Sequence, residues 1–274
     1  MTSYFDNKTK RLVFVEEAAN PDYWDRHWEK FDLKKIYPNK YNLKDKVVRI
    51  TNKYLPPKAA IIEGGCGLGK QVYKLHHAGY QIIGIDYAKK TIEFVNKNKP
   101  ELDIRLGDVT GLEFGDGSFD GYWSFGVIEH FYNGYEPIVL EMYRVLKPGG
   151  FLFITFPHMN PLRYLKAFFK QYPQWDVQKK GLFYQFALNS KEVIFNFERN
   201  GLELIHKKKQ NAVKGLKDEI KLLKPLLQKI YDSRSFAGMV LNKVISVLFS
   251  QFASHSVLLV FKKKNNVPSF SGKI

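Results

Sequence analysis

Between residues 59 and 157 the hydrophobic pattern switches back and forth between two periods. AAIIEGG at 59–65 and QIIGID at 81–86 are short apolar runs, each read as a buried strand. LDIRLGD at 102–108 alternates Leu102, Ile104 and Leu106 with polar residues, a strand of period two. KQVYKLHHAG places Val72, Leu75 and Gly79 at helical spacing with a glycine stop, and KKTIEFVNKNKP predicts a helix that ends before Pro100. A fourth strand is expected near residues 119–125, behind a glycine-rich turn. After it, Ile138, Met142, Val145 and Leu146 share a helical face up to the stop at Pro148, Gly149 and Gly150, and FLFITFP is a fifth strand. Strands alternating with helices imply right-handed crossovers, and so a parallel, doubly wound α/β sheet.

Beyond the fifth strand the pattern loosens. An aromatic-dense stretch at 156–186 leads to a helix at NSKEVIFNFERNG, and LELIHKKKQ and HSVLLVFKKK are expected as sixth and seventh strands. Residues 1–57 read as mostly helical. The expected organisation is therefore an N-terminal helical cap over 1–57, a sheet domain over 58–264 and a flexible tail over 265–274. Within the sheet domain, 157–188 forms an aromatic lid and 211–254 a helical insert between strands six and seven.

Composition changes this picture in three respects. An apolar content of 45% supports a sizeable packed core and excludes a disordered chain. A single cysteine, Cys66, excludes an intramolecular disulfide and a multi-thiolate metal site, and no metal centre is expected. The charged N-terminal segment shows no signal peptide, which makes a cytoplasmic location the expectation. Charge is unevenly placed: of the net +16, residues 1–150 carry +2 and residues 151–274 carry +14. Such a field points to an anionic partner, whether a phosphate-bearing substrate, nucleic acid or a membrane surface.

Four glycines fall within residues 64–69. Glycine is entropically costly in ordered backbone, so a cluster marks a place that something approaches closely. In an open parallel sheet, ligands sit beyond the carboxyl ends of the strands at the switch point, where this loop lies. Its spacing, Glu63-x-Gly65-x-Gly67-x-Gly69, differs from the Gly-x-Gly-x-x-Gly of a dinucleotide loop. It also lacks the Lys-Ser/Thr pair of a phosphate-cradling loop. Asp86 ends the second strand, where a carboxylate can accept hydrogen bonds from both hydroxyls of a ribose. Asp108 ends the third strand, in reach of an adenine amino group.

Three acids at the ends of three consecutive strands, the first beside the glycine loop, resemble the site of class I S-adenosylmethionine-dependent methyltransferases. DGSFDGYWSFGVIEHF followed by EMYRVLKPGGFLFITFP is similar to the fourth- and fifth-strand motifs of the small-molecule, type 11-like branch of that family. The resemblance covers roughly residues 58–264 apart from the insert. It implies a Rossmann-like, seven-stranded sheet with an antiparallel last strand, and S-adenosylmethionine as cofactor. The cofactor-binding residues it implies are Glu63, Gly65, Gly67, Gly69, Asp86, Tyr87, Asp108, Val109 and Phe125. Tyr23 and Arg26, beside Trp24, would join them from a helix that closes over the cofactor. Cys66 reads as a small filler in the loop.

Methyl transfer from a sulfonium is an in-line displacement whose leaving group is already activated, so positioning supplies much of the catalysis. A general base matters where the nucleophile must lose a proton. Glu129 and His130, directly behind the fourth strand, are the candidate catalytic pair, and histidine has the unperturbed pKa best suited to a base near neutrality. The alternative is a structural pair. The aromatic lid suggests a small-molecule or lipid-like acceptor, and the resemblance implies an oxygen nucleophile. Nucleic acid is the rival partner. Enzymes that methylate exocyclic amino groups of bases carry Asn/Asp-Pro-Pro-aromatic after the fourth strand, where this chain has SFGV. Carbon-5 cytosine methylation needs a catalytic cysteine, and the lone cysteine is in the glycine loop. An RNA methyltransferase of another type, or a cofactor-binding protein without catalysis, remain as alternatives.

The insert has two halves. In the first, Leu216, Ile220, Leu223, Leu227 and Ile230 share one helical face, Lys214, Lys217, Lys221 and Lys224 line another, and Pro225 kinks or divides the helix. The second, SFAGMVLNKVISVLFSQFA, is apolar around most of its circumference except for a strip of Gly238, Asn242, Ser246 and Ser250. With Lys243 inside it, this is a poor membrane span. Two readings stand: a lid buried on the sheet domain, or a surface resting on anionic lipid.

Overall fold

The computed structural model describes residues 2–38 and 45–265; apart from Asn265, the tail expected over 265–274 lies outside them. At the N-terminus the structure corrects the expectation of a helical cap. Residues 2–15 form a hairpin, β1 (Thr2–Asp6) and β2 (Arg11–Val15), whose tip is tied by Asp6 accepting from the Lys8 backbone N–H and the Thr9 hydroxyl. The run Leu12-Val13-Phe14-Val15 is rich in residues that suit a pleated, half-buried surface. Helices follow only afterwards. α1 (Pro21–Trp28) starts with the Asn20 side chain accepting from the Tyr23 N–H and with proline in its first turn. α2 (Leu33–Ile36) and α3 (Lys46–Tyr54) complete the segment.

The alternating region folds as its periodicity requires. β3 (Ala60–Gly64), α4 (Lys70–His77), β4 (Gln81–Asp86), α5 (Lys89–Asn98) and β5 (Asp103–Leu106) make one half. β6 (Phe119–Phe125), α6 (Glu136–Val145) and β7 (Leu146–Pro157) make the other. Next come α7 (Pro161–Phe168), β8 (Phe183–Ala187), α8 (Ser190–Arg199) and β9 (Leu202–Gln210). The insert holds α9 (Ala212–Glu219), α10 (Lys224–Asp232) and α11 (Phe236–Ala253), and β10 (Ser256–Lys263) closes the order.

Seven strands form one sheet in the order β5-β4-β3-β6-β7-β10-β9, with β10 antiparallel to both neighbours and the rest parallel. Consecutive residues of the central strands enter opposite layers. Ile62, Tyr122, Ile154 and Leu259 pack in one core, whereas Ile61, Trp123, Phe153 and Leu258 pack in the other. Both faces are thus covered, which is why these strands read as unbroken apolar runs. The direction of progression reverses between β3 and β6, so a crevice opens at their carboxyl ends. A second sheet, β1-β2-β8, folds the hairpin against part of the expected aromatic lid.

Pro225 divides the insert as expected: α9 ends at Glu219, a single turn spans 221–223, and α10 starts afresh with the proline in its first turn. α9 and α10 dock through Leu216, Leu227 and Ile230. Buried Glu219 joins them to α7, bonded by Arg163 at 2.9 Å and Lys166 at 2.7 Å and by the Tyr172 hydroxyl. Burial raises its pKa, but these partners outweigh that and hold the carboxyl below its usual range. α11 departs from the lid reading, because Ala253 is its only buried residue. Its last turn lies against α9, where a Cβ on Gly215 would meet the Ala253 carbonyl at 1.8 Å.

Candidate active site

The glycine loop carries the chain from β3 to α4 through three left-handed residues, Gly65, Gly67 and Gly69. Gly69 caps α4 at φ +68°, and a Cβ there would sit 2.2 Å from Ile104 Cδ1. Gly67 lies beneath the Trp28 ring, whose Cζ2 would be 2.5 Å from a Cβ. Backbone bonds from the Gly65 and Cys66 N–H groups to the Ile85 carbonyl, 2.8 and 3.0 Å, bind the loop to β4. Gly69→Ala should therefore lower stability by about 1–3 kcal/mol, through the strained φ and the crowding of Ile104. A thermal midpoint equal to that of the parent chain would show that the loop has room to spare.

Beyond this loop lies a cavity of about 730 Å³, within the ~300–1,000 Å³ typical of small-molecule sites. Three of its lining residues are the strand-end acids Glu63, Asp86 and Asp108. Asp86 is buried and fixed by backbone donors: Oδ2 accepts from the Gly67 N–H at 2.7 Å, Oδ1 from the Ala88 N–H at 3.0 Å. Burial raises its pKa against the backbone donors of Ala88, Gly67 and Tyr87. Each oxygen retains one free lone pair. Glu63 is also buried, its Oε2 has no protein partner, and burial pushes its pKa well up. Asp108 Oδ1 accepts from the Thr110 N–H and hydroxyl, both at 2.8 Å.

Behind β6, a single helical turn at Ile128–His130 brings Glu129 and His130 to the cavity wall. Glu129 is buried, no donor reaches its Oε2, and burial pushes the carboxyl up to about 8. The His130 Nδ1–H donates to the Tyr184 carbonyl at 2.7 Å, since a carbonyl can only accept, and this fixes the ring. Burial pushes the imidazole down to about 4 despite that bond. The Trp24 and Tyr184 rings meet it edge-on at 5.1 and 4.9 Å between centroids.

α1 roofs the cavity with Trp24, His27 and Trp28, and the two tryptophans stack at 5.9 Å. Its rotation is set by buried Asp25, which accepts from the Thr91 N–H and hydroxyl at 2.8 Å each. Asp25 thus supplies the cap that α5 lacks from its own Ala88. Tyr87 adds a bond from its hydroxyl to the Ala19 carbonyl at 3.0 Å.

Of the residues expected at the site, Glu63, Gly65, Asp86, Tyr87, Asp108, Val109, Phe125, Glu129 and His130 line this one cavity. Gly67 and Gly69 shape the loop without lining it. Tyr23 and Arg26 lie off the cavity: Arg26 pairs with Glu17 at the surface, and Tyr23 packs against Tyr184. Among the lid aromatics, only Tyr184 reaches the cavity; Trp175, Phe183 and Phe186 are core, and Phe168 and Phe169 are exposed. His27, Trp28, Gln185, His255 and Ser256 were not anticipated. The first two were detectable, because Trp24, His27, Trp28 and Phe31 recur at helical spacing; Gln185, His255 and Ser256 carry no sequence signal. Among the described residues, no group of three or more His, Cys, Asp or Glu side chains is arranged to hold a metal ion.

A seven-stranded sheet with one reversed strand, and a cavity at the carboxyl ends of β3 to β6 lined by strand-end acids, is the fold of class I S-adenosylmethionine-dependent methyltransferases. Residues 62–154 match the family described as methyltransferase domain. The chain is 35% identical over 98 residues to a "Probable S-adenosylmethionine-dependent methyltransferase" of Mycolicibacterium smegmatis, covering 36% of this chain and 38% of that protein. It is 30% identical over 111 residues to the demethylmenaquinone methyltransferase of Renibacterium salmoninarum, covering 39% and 46%. It is 28% identical over 150 residues to the ubiquinone biosynthesis O-methyltransferase of Chromobacterium violaceum, covering 53% and 62%. The chain thus spans less than two thirds of each of these relatives. The solved TehB-like methyltransferase of Corynebacterium glutamicum shares the fold, with a TM-score of 0.52 at 18% identity over 89% of this chain and 100% of that one.

Proposed function

We propose that this chain transfers the methyl group of S-adenosylmethionine to a small, largely apolar acceptor through an oxygen nucleophile. The observation that carries this reading is one cavity lined both by the three strand-end acids and by Glu129 with the aromatic rings of Trp24, Trp28, Phe125 and Tyr184. When bound, the cofactor supplies a methyl group on an activated sulfonium leaving group. The residues present fit it. Asp86 retains two lone pairs for a vicinal diol, Asp108 Oδ2 is open to an amino donor, and the partnerless Glu63 Oε2 favours a nearby cation. Trp24 and Trp28 exclude water from above. Glu129 accepts the acceptor's proton, and His130, neutral and anchored to Tyr184, positions the wall beside it. The names of two relatives, a demethylmenaquinone methyltransferase and a ubiquinone biosynthesis O-methyltransferase, support an apolar ring acceptor.

The test is to incubate the full chain with methyl-labelled cofactor and cell extract, then fractionate. Label is expected in an organic-soluble small molecule by mass spectrometry. Label in RNA or protein instead would overturn the acceptor class, and no transfer to any fraction would leave a cofactor-binding protein.

A further inference from the structure

α11 is turned inside out for a helix in water. Its small and polar strip, Gly238, Asn242, Ser246 and Ser250, is the partly covered face, and Ser246 satisfies itself on Asn242 within the helix at 3.3 Å. Apart from Ile245 and Ala253, its large apolar residues point outward: Phe236 is 79% exposed, Val247 69% and Leu248 70%. A surface helix normally does the reverse, whereas small and polar residues facing protein with apolar ones outward is the arrangement of helices in lipid. The apolar surface continues onto the turn at 221–223, where Leu222 is 89% exposed.

The charges around it identify what covers it. Lys221, Lys224, Lys229, Arg234 and Lys243 are exposed, and no ion pair engages them among the described residues. The acids of the insert are already engaged: Asp218 by Lys214 and His255, Glu219 by Arg163 and Lys166, and Asp232 by Gln228. Two of the four lysines in the sequence stripe, Lys214 and Lys217, therefore serve the fold. The free cations flank the apolar face, so pairing two copies of this chain through it would set like charges together. An anionic bilayer satisfies both the apolar and the cationic groups. At 18 residues α11 is long and apolar enough to cross a membrane. Lys243 near its middle, and a last turn held by Gly215 and by Asn160 bonding the Ser254 carbonyl at 2.8 Å, instead favour a helix lying along the surface.

We propose that α11, with the 221–223 turn and α10, docks this protein on an anionic lipid bilayer, its apolar side chains entering the acyl boundary and its lysines meeting the headgroups. This docking does not depend on which acceptor is methylated. The experiment is co-sedimentation of the full chain with phosphatidylcholine vesicles, with and without phosphatidylglycerol. Binding is expected only with the anionic lipid, and to weaken as salt rises. The triple variant Lys221→Glu, Lys224→Glu, Lys229→Glu should bind on the order of 100-fold more weakly. Val247→Ser with Leu248→Ser should bind at least about tenfold more weakly. All these positions are exposed, so calorimetry with S-adenosylhomocysteine should show every variant folded and binding normally. Equal sedimentation with neutral and anionic vesicles, none with either, or indifference to these substitutions would overturn the proposal. So would a concentration-dependent dimer broken by Leu248→Arg, which would assign the face to a second copy.

Discussion

Asp86→Ala should weaken binding of S-adenosylhomocysteine at least about a hundredfold, because hydrogen bonds to a charged acceptor are worth about 1.5–3 kcal/mol each. The carboxylate is already held in place by the Gly67 and Ala88 N–H groups, so no ordering cost remains when a ribose diol arrives. The carboxylate is a buried group in the cavity lining, where water competes poorly. Alanine removes both ligand bonds and also the acceptor that fixes Gly67, so the loop loosens with it. Asp86→Asn should bind weakly as well: both carboxylate oxygens accept backbone N–H bonds, so its NH₂ must face either the Gly67 or the Ala88 donor, and its thermal midpoint should fall too. Calorimetry on both variants is the measurement, and unchanged affinity in either would remove Asp86 from the cofactor site.

What the sequence discloses here follows which contacts are local. The central strands are legible because Ile61 and Ile62, or Trp123 and Tyr122, each need an apolar layer on their own side of the sheet. The strand-end acids are legible because strand and loop are adjacent in the chain. The hairpin of residues 2–15 has local signs, the β-prone run at 12–15 and a short turn, which the helical reading passes over; only its pairing with Phe183–Ala187, far along the chain, has none. The rotation of α1 is hidden for the same reason. Once Asp25 turns inward to cap α5 at Thr91, helical geometry brings Trp24 and Trp28 over the cavity and carries Arg26 out to Glu17. For α11, the sequence shows a polar strip on an apolar helix but not which side the protein covers. That was decided by the close approach of Gly215 on α9.

Methyl transfer should rise with pH through a midpoint at or below about 8, and Glu129→Gln should abolish that rise while lowering the rate about 10²–10⁴-fold. Between pH ~5 and ~9, Glu129 is the member of the pair that changes charge, because His130 is pushed down to about 4 and stays neutral. A carboxyl raised by burial is protonated at low pH, and its basic form appears only as pH climbs; a bound sulfonium can only lower that midpoint. The label-transfer assay reads the profile without knowledge of the acceptor. Stability gives an independent sign. Because the folded state disfavours the Glu129 carboxylate, its ionisation costs stability progressively from the unfolded value of about 4.3 up to about 8. The neutral Glu129→Gln should therefore raise the thermal midpoint, and raise it more at about pH 8 than at about pH 5. Affinity for S-adenosylhomocysteine should stay within a few-fold of the parent. A wild-type midpoint near 4 would assign the base to His130, and a Glu129→Gln variant with parental rate and profile would reduce Glu129 to a packing residue.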